Sequence, residues 1–207
     1  MKICEMFRSV QGEGITMGSV TFFIRTAGCN LSCSWCDTKY SHKGGEELSV
    51  REITERTKDD RNICITGGEP LLQDDVYDLM DALLKEGKKI VLETNGSVDI
   101  SGVPASKDLI ISMDIKCPSS GMDGKMLKSN IRYMKSTDQL KFVIADRSDM
   151  EYAGSFISSH ETECNIILSP VGGTDIRSLA EEAVERKMNV RVLPQLHKMI
   201  WGNKRAV

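Results

Sequence analysis

A chain of 207 residues, 40% hydrophobic and 28% charged, has the composition of an ordinary globular protein, long enough for one domain with a sizeable core and short for two. A formal net charge of −3 leaves no broad basic footprint for nucleic acid, and no apolar run approaches the roughly 18 residues that a membrane span needs. The amino terminus MKICEMFRSVQGEG carries no apolar signal segment, so the expected location is the cytoplasm, where the seven cysteines serve as thiols or metal ligands rather than disulfides.

In chain order, VTFFIRTAG (20–28) is rich in β-branched and aromatic residues and predicts a strand. A cysteine-bearing loop, GCNLSCSWCDTKYS (28–41), and a polar helix around 49–58 follow it. NICITGG (62–68) predicts the next strand, ended by its glycines. Apolar residues at 76, 79, 80, 83 and 84 predict a helix over 72–87, closed by Gly87. Further short apolar runs at 89–96, 109–116, 140–146, 164–170 and 189–195 predict strands, with amphipathic segments near 124–135, 149–159 and 174–187 between several of them. No repeat or linker interrupts the pattern. Strands buried on both faces and separated by helices predict parallel βα units in one α/β domain.

In such folds chemistry sits at the carboxyl ends of the strands. Polar candidates fall there: Cys29, then Gly67-Gly68-Glu69, Thr94-Asn95, Asp114 with Lys116, and Ser169. The densest signal is the spacing C-x3-C-x2-C of Cys29, Cys33 and Cys36. A structural zinc site wants four ligands, and the other cysteines, Cys4, Cys64, Cys117 and Cys164, are scattered singly. They are expected as small buried hydrophobes, with Cys117 the least settled. Three thiolates on one loop suit a [4Fe–4S] cluster whose fourth iron lacks a protein ligand, and an open position is where chemistry happens.

This loop after the first strand resembles that of the radical S-adenosylmethionine (SAM) enzymes, in which the amino and carboxylate groups of SAM chelate the open iron. TGGEP (66–70) is similar to the SAM-amino motif of that superfamily, and the aromatic residue before the third cysteine, Trp35, fits as well. Gly67 and Gly68 allow close backbone approach to an ammonium, while Glu69 either adds a charge or orients the turn. Read alone, these residues also make a simple strand-ending turn.

Four further stretches, SVQGEG (9–14), FFIRTAGCN (22–30), CDT (36–38) and LPQLHKMIWG (193–202), resemble the 7-carboxy-7-deazaguanine synthase family over almost the whole chain. That resemblance implies a truncated parallel β/α barrel spanning 1–207 with reduced helices and short terminal substrate-binding segments. It implies ring contraction of 6-carboxy-5,6,7,8-tetrahydropterin to 7-carboxy-7-deazaguanine with loss of ammonia, a step toward the deazaguanine nucleosides of tRNA. A 5′-deoxyadenosyl radical takes and returns a hydrogen, so SAM is not consumed. The implied cofactors are the cluster, SAM and Mg²⁺; the implied partners are a flavodoxin- or ferredoxin-type electron donor and a second copy of the chain.

The resemblance also assigns residues. Thr38 would meet Mg²⁺, a hard cation that takes oxygen ligands, or else bond its own loop. Arg25 would hold the substrate carboxylate bidentately, or else pair internally with an acid. Val10, Gln11, Gly12 and Glu13 would form the pterin wall, and Thr94 would touch substrate. Gly96, Asp114, Lys116 and Ser169 would contact SAM, although MDIKCPSSG departs from the commoner Ser-Pro-Lys of the family. His42 and His160 are expected at the surface, His197 is undecided, and no side chain is singled out as acid, base or nucleophile. Two other readings stay open: an activating enzyme that places a glycyl radical on a partner protein, and a zinc-stabilised binding module.

Overall fold

The computed structural model describes all 207 residues. Its centre is one sheet of nine strands in the order β3-β1-β2-β4-β5-β6-β7-β8-β9. The strands from β2 (Val20–Thr26) through β4 (Asn62–Gly67), β5 (Lys89–Thr94), β6 (Leu109–Ile115), β7 (Gln139–Ile144), β8 (Asn165–Pro170) and β9 (Arg191–Val192) are mutually parallel. The edge strands β3 (Glu46–Glu47) and β9 do not pair with each other, so the barrel is open, as a truncated one must be.

Two strands were not foreseen. β1 (Lys2–Val10) runs antiparallel to β2, and β3 antiparallel to β1. The partly polar sequence KICEMFRSV hides β1, because its outward and inward residues alternate without a continuous apolar run.

Helices cover the outer face. α1 (Val50–Arg56) starts in a capping box, with Ser49 and Glu52 satisfying each other's backbone N–H groups. α2 (Val76–Lys85) ends as predicted at Gly87, whose φ of +74° lets the N–H groups of Gly87 and Lys88 return to the carbonyls of Leu84 and Leu83. α3 (Arg147–Ser159) and α4 (Arg177–Glu185) follow β7 and β8. Ile24, Ile65, Leu92, Met113 and Phe142 from the strands meet Ile53, Leu79, Leu83, Met150 and Phe156 from the helices in one buried apolar cluster. Full burial of each such side chain contributes about 1.5–3 kcal/mol.

The amphipathic segment near 124–135 is not an α-helix but short 3-10 turns. Its buried Asn130 side chain donates to the carbonyls of Gly96 and Val98 and accepts from Ile100 N, which staples the segment to the loop after β5. The expected strand over 189–195 shrinks to two residues, because the chain after it turns onto the sheet's open end: Gln195 N bonds Gly173 O at 2.6 Å and Leu196 N bonds Gly12 O at 2.9 Å. α5 (Leu196–Trp201) completes the fold.

Candidate active site

Along a strand, alternate residues share a face, and on the concave face of this sheet they change character from one end to the other. Phe7, Phe23, Cys64, Val91 and Ile110 close the amino-terminal end with an apolar floor, in which Phe7 and Phe23 stack at 5.1 Å. Two residues further along each strand stand Arg25, Thr66, Glu93 and, at four from Ile110, Asp114; Lys141 and Val143 continue the row on β7. These residues line a cavity of about 500 Å³ at the carboxyl end. The expectation of strands apolar on both faces therefore fails on this face, where charges occupy alternate positions.

The cysteine loop forms one wall. Cys29, Cys33 and Cys36 all line the cavity and all are free. The loop is held by Gly67 and Gly68: a Cβ on Gly68 would lie 2.0 Å from Gly28 O, and Gly67 has φ of +144°, so the end of β4 presses directly on the loop's start. Gly68 N bonds Thr26 O at 3.2 Å and Glu69 N bonds Gly28 O at 2.9 Å. Burial pushes the Cys29 and Cys33 thiols up from their ordinary value, and for Cys33 the nearby Lys116 ammonium acts in the opposite sense. No three His, Cys, Asp or Glu side chains converge on a single-ion site.

Buried charges line the carboxyl end of the cavity in an unbroken chain. Lys116 Nζ lies 2.8 Å from Asp114 Oδ2, Lys141 Nζ lies 3.1 Å from Asp114 Oδ1, and Lys141 also reaches Glu13. Gln195 Nε2 donates to the other Glu13 oxygen at 2.6 Å. Burial works against ionisation in this region, yet the two lysines keep Asp114 below the ordinary carboxyl value, and Asp114, Glu13 and Glu93 hold Lys141 well above the ordinary ammonium value. Asp114 Oδ1 is met by the Lys141 ammonium as an ion partner but accepts no aligned hydrogen bond, which leaves it room for a further donor.

Across the cavity Arg25 Nε donates to Glu5 Oε1 at 2.8 Å, and Tyr40 OH donates to the same oxygen at 2.8 Å. The internal ion pair foreseen as one alternative for Arg25 is present, and Arg25 also lines the cavity. A bulge in β1 between Ile3 and Glu5 turns Glu5 inward. It also leaves Cys4 half-buried rather than in the core, where Cys117 and Cys164 pack as expected.

Thr38 lies on the rim, with its hydroxyl donating to Asp37 Oδ1 at 2.8 Å. Burial would raise the Asp37 carboxyl, but Lys198, 2.9 Å away, brings it below the ordinary value. Val10, Gln11, Gly12 and Glu13 line the opposite wall. Gln11 Nε2 lies 3.5 Å from Glu93 Oε1, and Gly12 has no room for a Cβ because His197 Nδ1 would be 2.0 Å away. His197 thus lines the cavity, and so does the half-buried His42, expected at the surface; His160 stacks on Phe156 at 4.2 Å.

Three residues carried from the resemblance stand behind the cavity wall. Glu69 is fully buried and spends its carboxylate on Leu71 N, Thr94 Oγ1 and Asn95 N, so it orients the turn and adds no exposed charge; burial nonetheless raises its carboxyl above the ordinary value. Gly96 uses its N–H on Thr94 Oγ1 and its carbonyl on Leu127 N and Asn130 Nδ2. Ser169 is buried on β8 with its hydroxyl unpartnered. Thr94 itself lines the cavity. Conversely, Glu5, Glu93, Lys141 and Gln195 were missed. The available signal was a charged residue at an alternate position of an apolar strand, as in VLETN and LKFVI, which is costly unless it faces a partner or a ligand.

Comparisons with known proteins agree with this geometry. The radical SAM superfamily model matches residues 23–116, which run from β2 to the end of β6. A 7-carboxy-7-deazaguanine synthase of Methanospirillum hungatei is 46% identical over 203 residues, covering 97% of this chain and 85% of its own. The enzyme of the same name from Thermoplasma acidophilum is 40% identical, with 98% of each chain covered. Among solved structures, QueE from Escherichia coli superposes with a TM-score of 0.75 at 25% identity over 92% of each chain. Near-full-length identity to enzymes of one name, a matching fold and a cysteine loop on the cavity wall lead to one assignment: the chain belongs to the 7-carboxy-7-deazaguanine synthase family of radical SAM enzymes.

Proposed function

We propose that the protein contracts the ring of 6-carboxy-5,6,7,8-tetrahydropterin to 7-carboxy-7-deazaguanine with loss of ammonia, using a [4Fe–4S] cluster, SAM and Mg²⁺. The observation that carries this reading is the single cavity that gathers the cysteine loop, Arg25, Thr38 and the 10–13 segment, in a chain that matches 7-carboxy-7-deazaguanine synthases along nearly its whole length.

The donor sets suit the implied groups. Three free thiols on one loop suit the cluster. Asp114 Oδ1, ion-paired with Lys141 but accepting no aligned hydrogen bond, is a buried acceptor suited to the ribose hydroxyls of SAM, with Lys116 beside it. Gly67 and Gly68 permit close approach of the SAM ammonium, while Glu69 and Gly96 act from behind the wall by holding their turns, and the buried Ser169 hydroxyl on β8 is free to donate. The Thr38 hydroxyl oxygen, with the Asp37 carboxylate at its side, offers a hard oxygen pair for Mg²⁺. When bound, the cluster and SAM supply the radical that starts the rearrangement.

The chain's own residues bind and orient. Arg25, with Nε committed to Glu5, presents the rest of its guanidinium to the substrate carboxylate. Glu13 and the backbone of Val10, Gln11 and Gly12 accept from the donor-rich aminopyrimidine edge, and Lys141 with Gln195 holds the Glu13 carboxylate in place. Thr94 and His197 complete the wall. The resemblance adds a flavodoxin- or ferredoxin-type electron donor and assembly as a homodimer. No helix is long and apolar enough to cross a membrane.

Anaerobic reconstitution with iron and sulfide, followed by dithionite, SAM, Mg²⁺ and the carboxytetrahydropterin, is expected to yield 7-carboxy-7-deazaguanine by mass spectrometry. A loaded cluster with no such product overturns the substrate assignment. Arg25→Lys replaces the planar fork by a point charge and is expected to lower kcat/KM about 30-fold, the loss of one charge-assisted hydrogen bond of about 2 kcal/mol.

A further inference from the structure

We propose that Trp35, Ser119 and Asp149 form a positioning relay that fixes the cysteine loop against the β6–α3 side of the fold. Trp35 stands between Cys33 and Cys36 and lines the cavity. Its indole N–H donates to Ser119 Oγ at 3.0 Å, and the Ser119 hydroxyl in turn donates to Asp149 Oδ2. Asp149 is fully buried in the first turn of α3; its Oδ1 accepts from Ser119 N at 2.9 Å and its Oδ2 from Ala145 N at 2.8 Å. The positive end of this 13-residue helix favours the carboxylate there.

The platform under the tryptophan is rigid by construction. Ser120 closes a turn onto Cys117 O with both its N–H and its hydroxyl, and its own carbonyl accepts from Ser34 N at 3.1 Å and Ser34 Oγ at 3.2 Å. The Lys116 ammonium lies 5.6 Å from the centre of the Trp35 ring and 2.8 Å from Asp114. The loop segment Ser34–Trp35 is therefore pinned at two adjacent residues to Ser120 and Ser119, 86 and 84 positions away, and is flanked on both sides by the cysteines Cys33 and Cys36. A half-buried tryptophan needs a partner for its N–H. Here that partner is locked by a buried carboxylate, so the position of the loop is set by α3 and not by the loop itself.

The proposal rests on the cluster reading of the three cysteines, and its test separates the two. In the full chain, Trp35→Phe keeps the ring and removes the N–H, Ser119→Ala removes the bridge, and Asp149→Asn removes the charge. Amide hydrogen exchange of residues 33–37 in the iron-free protein, release of iron from the reconstituted protein to a ferrous chelator, and the electron paramagnetic resonance spectrum of the reduced cluster are measured, none of which requires turnover. Trp35→Phe is expected to speed loop exchange and iron release about fivefold and to shift the spectrum, with an unchanged melting temperature. Asp149→Asn is expected to do at least as much, and the double variant no more than Asp149→Asn alone. Wild-type exchange and iron release in Trp35→Phe, or additive effects in the double variant, overturn the relay. A chain that takes up no cluster overturns the cluster reading instead, and exchange in the iron-free protein still decides the relay.

Discussion

Ile65 and Thr66, Leu92 and Glu93, Met113 and Asp114, Leu140 and Lys141 are neighbours in the chain on opposite faces of one sheet. The first of each pair packs under helices in the apolar cluster, and the second faces the cavity. The outer face is held by shape and area removed from water, which many residue combinations satisfy. The inner face is held by pairing: Lys141 is stable there only because Asp114 and Glu13 surround it, and Arg25 only because Glu5 does. One backbone therefore carries two kinds of specification, separated by a single residue step.

The sharpest way to break this comparison is Lys141→Met, which keeps volume and removes charge. It leaves Glu13 and Asp114 without their shared cation and is expected to cost about 3–5 kcal/mol in urea unfolding, together with weaker binding of both SAM and the pterin. Parent-like stability would make the inner face one more packed surface. Ile65→Ala, fully buried on the outer face, is expected to cost about 3 kcal/mol by cavity formation while kcat/KM of the folded enzyme stays unchanged; a fall in kcat/KM would show that the two faces are not independent.

The smallest effect is in pH dependence. Burial, with Lys198 adding to it, lowers His197 from its ordinary value of 6.5 against the opposing pull of Glu13, Asp37 and Glu93. Below pH 6.5 the unfolded chain takes up a proton that the folded one resists, so this residue's contribution is intact above pH 6.5 and is lost as pH falls through 6.5 toward the lowered value. His197→Gln is expected to flatten that part of the stability profile in thermal melts taken from pH 6.5 downward. An unaltered slope would remove His197 from the charge balance of the cavity.

The legible parts of the fold were those with local physical causes. The helix over 76–85 announced itself by periodicity and by Gly87, and the first helix by the polar stretch around 49–58. β1 was not legible, because its partner strand lies beyond the 10–19 turn and its inward residues Glu5, Phe7 and Ser9 mix charged, apolar and polar types. The segment 124–135 looked amphipathic, but buried Asn130 bonds the loop after β5 and prevents a regular helix, an interaction with no local trace. At the site, the cysteines, the glycine pair, Arg25 and the 10–13 segment could be named from their spacing and resemblance. Glu93 and Lys141 showed only as charges at alternate positions of apolar strands, and their partners, like that of Glu5, lie on other strands, so their roles had no trace in the local sequence.

The groups able to do chemistry here follow from the chain's own order of residues: the three thiols in a fixed short spacing, the glycines that admit close approach, and strand ends that must share one side of a parallel sheet. Tertiary structure alone decided which of these groups face one another. It turned Glu69 inward to hold its turn, set Lys141 between Glu13 and Asp114, and tied Trp35 through Ser119 to a carboxylate at the start of α3. Spacing along a loop is a covalent property, whereas pairing of buried charges exists only when distant strands bring them within hydrogen-bond reach and exclude water.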